Sequence, residues 1–239
     1  MILITGANGL IGSFIAHKCV LEGQSVRILT RKNADLSSLS DIIDKIEVFE
    51  GDILDIPLLE KAYEGIEEVI HCAAVVSFGD VGIDTLFKVN VEGTKNVVNI
   101  ALKKNCKKLI YLSSIAAIGR DPKVNLTDEN TLWVESDLNS QYAKSKYAAE
   151  LEVWRATEEG LNAAILNPSV VLGPGDWNKS STKIFKNIYE GMAFYPTGTT
   201  NLVDVRDVAE AAWLLLKSNI SHERYIISCL LYTSPSPRD

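Results

Sequence analysis

Short apolar runs rich in branched residues alternate with amphipathic helical stretches along most of this chain, and that alternation limits the fold more than any other feature. Ile2–Thr5, Ser25–Thr30, Ile46–Glu50, Val69–Cys72, Lys108–Ser113 and Asn162–Asn167 read as strands. Between them Leu10–Glu22, Leu36–Ile43, Ile56–Tyr63, Val81–Lys104 and Ser140–Glu159 read as helices, two of them stopped by Gly23 and Gly160. Strands without a polar face are buried on both sides, and helices between successive strands make them parallel. The pattern predicts an α/β protein with a doubly wound parallel sheet over residues 1–167.

Beyond Asn167 the pattern changes. Pro168-Ser169-Val170-Val171-Leu172-Gly173-Pro174-Gly175 reads as a loop. Lys179–Gly191 and Val205–Lys217 read as helices and Arg224–Ser228 as a strand. Residues 168–228 are therefore expected to form an incomplete small C-terminal lobe on the substrate side. Residues 229–239, from Cys229 to Asp239, turn abruptly rich in Ser and Pro and resemble the translation of a sequencing adapter. The expectation is a non-native tail on a C-terminally truncated chain.

Composition narrows the partners. A length of 239 residues suits one large domain or one and part of a second. The net charge of −7 argues against nucleic acid and anionic membranes. No apolar run is long enough to cross a bilayer, and the N-terminus has no basic leader, so a cytoplasmic protein is expected. Cys19, Cys72, Cys106 and Cys229 make no C-x-x-C pair, and His17, His71 and His222 share no ligand spacing, so no metal site is expected.

Gly6-Ala7-Asn8-Gly9-Leu10-Ile11-Gly12 lies between the first strand and the first helix. Glycines there allow a tight turn, close approach of the backbone to a pyrophosphate, and close packing of helix on strand. The helix N-terminus then presents free amides and a partial positive charge to the phosphates. A Rossmann-like dinucleotide site follows. The second strand ends Thr30-Arg31-Lys32 without the acid that would hold a ribose hydroxyl, and Arg31 can meet a 2′-phosphate. NADP is the preferred cofactor on this reading, with NAD the alternative.

Tyr142 and Lys146 stand four residues apart on one helix face. An ammonium near a phenol favours the phenolate and fits the pair for proton transfer. Ser113 and Ser114 end the fifth strand, where open parallel sheets bind ligands.

Taken in order, these segments resemble the extended short-chain dehydrogenases/reductases, the superfamily of nucleotide-sugar epimerases and dehydratases, dihydroflavonol reductases and 3β-hydroxysteroid dehydrogenases. The matching pieces are Thr5–Gly12, Gly51-Asp52-Ile53, His71-Cys72-Ala73-Ala74, Asn90–Thr94, Ser113-Ser114, Tyr142–Lys146, Asn167-Pro168-Ser169 and Val203–Ala209. The resemblance implies a cofactor site made of Gly6, Asn8, Gly9, Leu10, Ile11, Gly12, Arg31, Asp52, Ile53, Ala73, Ala74, Asn90, Tyr142, Lys146, Pro168 and Val171. It makes Tyr142 the acid/base, Ser114 the catalytic hydroxyl with Ser113 as fallback, and Lys146 both the tuner of Tyr142 and a ligand of the nicotinamide ribose. Asn90 would brace the site.

Ile115-Ala116-Ala117-Ile118-Gly119 and Thr30-Arg31 depart from the sugar epimerase pattern and look like the dihydroflavonol 4-reductase branch. An oxidoreductase acting on a small carbonyl or alcohol is expected, with room for a homodimer. A nucleotide-sugar epimerase or dehydratase with tightly held NAD is the alternative, and a non-catalytic NAD(P)-binding regulator the second.

Overall fold

The computed structural model describes residues 1–76, 82–120, 127–175, 186, 189–191 and 201–229. Its first half runs β1 (Ile2–Thr5), α1 (Leu10–Leu21), β2 (Val26–Thr30), β3 (Ile46–Glu50), α2 (Ile56–Ala62), β4 (Glu68–His71), α3 (Ile83–Phe87) and α4 (Gly93–Lys103). The second half runs β5 (Lys108–Leu112), α5 (Gln141–Glu158), β6 (Ala163–Pro168), β7 (Val170–Leu172), β8 (Leu202–Asp204), α6 (Val205–Lys217) and β9 (Arg224–Ile227).

Seven strands form a parallel sheet in the order β3-β2-β1-β4-β5-β6-β9. The chain winds outward from β1 in both directions, so a crevice opens between the carboxyl ends of β1 and β4. Alternate strand residues face opposite layers. Ile2, Ile4, Ile28, Ile70, Ile110 and Leu166 pack with Ile15, Cys19, Val208 and Ala212 of α1 and α6. Leu3, Leu29, Val69, Leu109 and Ile165 pack on the other face with Leu59, Val97, Val98, Ala149 and Val153 of α2, α4 and α5. Both faces are covered over the central strands β1, β5 and β6, which are fully buried, whereas the edge strand β3 exposes Glu47, Val48 and Glu50.

Four expectations need correction. Leu36–Ile43 is no helix: it makes two short 3-10 turns at Ser37–Leu39 and Ile43–Lys45. Serines at 37, 38 and 40 favour local turns, and Asp35 accepts the Ser37 amide at 3.0 Å. The long helix over Val81–Lys104 is interrupted by a π turn at Lys88–Glu92 between α3 and α4.

The third correction concerns the C-terminal lobe. β9 pairs with β6 in the main sheet, with Ile165 opposite Arg224 and Pro168 opposite Ile227. α6 lays Val205, Val208, Ala212 and Leu215 into the α1 layer. Residues 205–227 therefore belong to the cofactor sheet, because an apolar helix stripe and an open strand edge were both available there. Val170–Leu172, expected as loop, is a strand paired with β8. The helix expected at Lys179–Gly191 lies outside the described residues except at 186 and 189–191, and the tail is described only at Cys229, whose amide donates to Leu202 O at 2.9 Å. Among the described residues no helix is long and apolar enough to cross a membrane, and no three metal-ligating side chains cluster.

Candidate active site

The loop between β1 and α1 leaves no room for a side chain at Gly6 or Gly12. Gly6 has φ +71, and a Cβ there would sit 2.6 Å from Ala73 N. At Gly12 a Cβ would meet Gly6 O at 2.2 Å. Gly9 is the N-cap of α1 and supplies no capping side chain, so the first-turn amides keep their donors for a ligand. Asn8, Leu10 and Ile11 complete the loop, and Gly173 and Gly175 close over Leu10 from the β7 side.

Below this loop a buried hydrogen-bond chain ties the crevice together. Ala73 N–H donates to Thr5 Oγ1 at 3.2 Å, and Thr5 donates to His71 Nδ1 at 2.6 Å. The Thr94 hydroxyl donates to Asn90 O at 2.6 Å, so it accepts from His71 Nε2 at 3.0 Å. This order requires the neutral Nε2–H tautomer, and burial draws the His71 pKa down to about 3. Asn90, placed by the π turn, accepts from Val75 N at 2.7 Å and donates to Val75 O and Ser145 Oγ, each at 3.0 Å. Ser145 in turn donates to Tyr142 O at 2.8 Å. Insertions of this kind in a helix re-aim a side chain, and they recur at functional sites. Asn90 thus joins the loop after β4 to the helix that carries Tyr142.

Ser140 caps α5 by accepting the Ala143 amide at 3.1 Å, which fixes where the helix begins and so where Tyr142 points. Burial pushes the Tyr142 phenol up, and the Ser114 hydroxyl facing it draws it partly back. Ser114 Oγ also accepts from Ala116 N at 3.2 Å and opens the turn Ile115–Ile118. Ser113 is buried on the other side, against Glu150. A cavity of about 310 Å³ is lined by Ile115, Gly119, Arg120, Leu138, Asn139 and Ala143, among them the residues that follow Ser114 and Tyr142 in the chain.

Lys146 does not lower Tyr142 as the four-residue spacing suggests. Its ammonium is turned toward β5, donating to Tyr111 OH at 2.8 Å and Leu112 O at 2.9 Å, and it lies 4.4 Å from the Tyr111 ring centre. Desolvation pulls the Lys146 pKa down to about 7, against the opposing pull of Glu150 and Cys72. The ammonium therefore sits near its midpoint at neutral pH.

The remaining expected residues spread along the crevice. Arg31 is exposed just past β2, and Gly51 N donates to Thr30 O at 2.9 Å, which sets Gly51 and Asp52 beside it. Asp52 accepts Leu54 N, and Ile53 is buried against Gly93, where a Cβ would clash at 2.4 Å. Ala73 and Ala74 follow β4, Pro168 ends β6, and Val171 is buried in the α1 layer. Sequence reasoning gave no role to Tyr111, Glu150 and Arg224, and none to His71 and Asn167 beyond their place in the matching segments. One signal for Glu150 was available: it continues the Tyr142–Lys146 spacing by another turn on an Ala-rich, buried face.

The family model for the NAD dependent epimerase/dehydratase family matches residues 2–228. The chain is 29% identical to sterol demethylase protein B of Methylococcus capsulatus, with 95% of the chain and 69% of that protein covered. It is 31% identical to a putative dihydroflavonol 4-reductase of Synechocystis sp., covering 94% and 66%. With cinnamoyl-CoA reductase 1 of Oryza sativa subsp. japonica it shares 30%, covering 95% and 70%. The crystal structure of gox2253 superposes with a TM-score of 0.88 at 35% identity, covering 95% of the chain and 69% of that structure. The chain spans 66–70% of the length of these relatives.

Proposed function

Because the chain belongs to the NAD dependent epimerase/dehydratase family, the extended short-chain dehydrogenases/reductases, we propose that it reduces a small carbonyl substrate or oxidises the matching alcohol. Membership makes it an NAD(P)-dependent oxidoreductase. The observation that supports the finer reading is the Ser114 hydroxyl facing the Tyr142 phenol, beside a cavity lined by their chain neighbours Ile115 and Ala143, with Lys146 one turn further along the same helix.

The glycine cradle fits a dinucleotide, since any Cβ at Gly6 or Gly12 would fill the space beside the uncapped α1 terminus. Gly6, Asn8, Gly9, Leu10, Ile11 and Gly12 would hold the pyrophosphate, Asp52 and Ile53 the adenine side, and Ala73, Ala74, Pro168 and Val171 the nicotinamide side. Arg31, exposed where β2 ends without an acid, supports a preference for NADP. A bound nicotinamide supplies or accepts the hydride.

Protons are the task of the protein. In reduction Tyr142 gives its phenolic proton to the substrate oxygen, while Ser114 Oγ holds that oxygen by a hydrogen bond. In oxidation Tyr142 takes the alcohol proton. Burial keeps the phenol protonated, which is the form reduction needs. The Lys146 ammonium, bonded to Tyr111 and Leu112, would offer a donor to a ribose. The end of β2 and the reductase relatives favour this reading over a sugar epimerase with tightly held NAD.

Tyr142→Phe keeps the ring and removes the proton-carrying oxygen. It should lower kcat by about 10²–10⁴-fold while dinucleotide affinity stays within about threefold. A near-normal kcat refutes the mechanism. A screen of aldehydes, ketones and nucleotide sugars with both dinucleotides tests the substrate class, and no turnover with any of them would favour a non-catalytic regulator.

A further inference from the structure

Among the described residues Glu150 is the only buried carboxylate, and the chemistry above gives it no part. We propose that Glu150 is a positioning residue, whose carboxylate balances the charge of Lys146 and, through Asn167, fixes the backbone at Ser114. The proposal rests on the Ser114–Tyr142–Lys146 reading for its effect on turnover but not for its geometry.

Asn167 carries the second half. Its Nδ2 donates both to Glu150 Oε1 at 2.5 Å and to Ser114 O at 2.9 Å. One amide group therefore bridges the carboxylate to the serine that faces Tyr142. Asn167 is fully buried near the end of β6, so no water competes for those donors. Charge-assisted bonds of this kind are about twice as strong as neutral ones.

Lys146 carries the first half. Glu150 follows it by one turn on α5 and shares its buried face. The groups facing Lys146 are Glu150 on α5, Tyr111 on β5, and Cys72 and neutral His71 at the end of β4. Glu150 is the only carboxylate among them. It faces Lys146 on one side and Arg224 of β9 on the other, with Ser113, Asn167 and Tyr111 completing its surroundings. Arg224 Nη1 reaches Glu150 Oε2 only at 3.5 Å, whereas its other donors hold Glu129 O at 2.7 Å and Thr131 O at 2.8 Å. The guanidinium is committed to the 129–131 loop. Removing the carboxylate would take away the one anionic group beside Lys146, and the lysine would then release its proton more readily.

The test separates charge from shape. Glu150→Gln keeps an acceptor for Asn167 and removes the charge; Glu150→Asp keeps the charge and draws it back from Asn167. Protein carrying 13Cε-lysine is titrated by NMR, with the Lys146 signal assigned by its loss in Lys146→Met. In Glu150→Gln the Lys146 midpoint should fall by about one pH unit or more. The alkaline limb of kcat/KM should move down with it, while kcat on the acid side stays near that of the unaltered protein. In Glu150→Asp the midpoint should stay within about 0.3 units and kcat should fall several-fold at every pH. An unchanged Lys146 midpoint in folded Glu150→Gln overturns the proposal. So does an unaltered kcat in Glu150→Asp, or failure of both variants to fold, which would make the residue structural. If Tyr142→Phe retains turnover, the catalytic reading fails, yet the lysine titration still decides the role of Glu150.

Discussion

Replacing Asn90 by Asp tests how firmly the π turn ties the crevice to the catalytic helix. Asn90 is 1% exposed and its amide makes three bonds: Oδ1 accepts from Val75 N at 2.7 Å, and Nδ2 donates to Val75 O and Ser145 Oγ at 3.0 Å. The carboxylate keeps the first and loses both others. Ser145 Oγ gives its proton to Tyr142 O, and would have to release that bond to answer the carboxylate. Two lost bonds at about 1 kcal/mol each, with two buried acceptors left facing a third, give a loss of about 3–5 kcal/mol. That is a large share of the 5–15 kcal/mol that holds a typical domain together. Urea unfolding followed by tryptophan fluorescence at pH 8 measures it, and Asn90→Ala should lose a comparable amount. A loss under about 1 kcal/mol in both variants would show that these bonds are replaced at no cost and that Asn90 does not brace the site.

Three further outcomes follow from the same geometry. His71 is buried neutral with a pKa of about 3 against 6.5 when exposed, so its contribution to stability is complete above pH 6.5 and is lost as pH falls toward 3. Between pH 7.5 and pH 5 that loss should be about 2 kcal/mol in urea unfolding, and a folded His71→Gln with the same acid sensitivity would contradict it. Gly12→Ala places a methyl 2.2 Å from Gly6 O, a backbone atom that cannot swing away; dinucleotide affinity by fluorescence titration should fall at least about tenfold, and unchanged binding would remove the cradle from the site. Arg31→Ala should lower the ratio of NADPH to NADH affinity by about tenfold or more, the worth of one charge-assisted phosphate contact, and an unchanged ratio would reverse the cofactor preference.

Much of this molecule was legible in its sequence because the relevant physics is local. Apolar central strands and helices between them require a parallel sheet covered on both faces, and glycines at 6 and 12 are needed where a helix packs this tightly on a strand. Tyr142 and Lys146 share a face at any helical spacing of four. What that spacing could not state was their partners. Lys146 bonds Tyr111 and Leu112 on β5, a choice that exists only once β5 lies under α5. The π turn that aims Asn90 has no signature in Lys88–Glu92 separable from ordinary helix, since its gain comes from contacts with Val75 and Ser145 far along the chain. β9 read as the start of another lobe because a short apolar strand carries no address; the open edge of β6 supplied one. Patterns repeated every two or four residues fix elements and faces, whereas the meeting of Glu150, Asn167, Arg224 and Lys146 required two strands and a helix to be in place first.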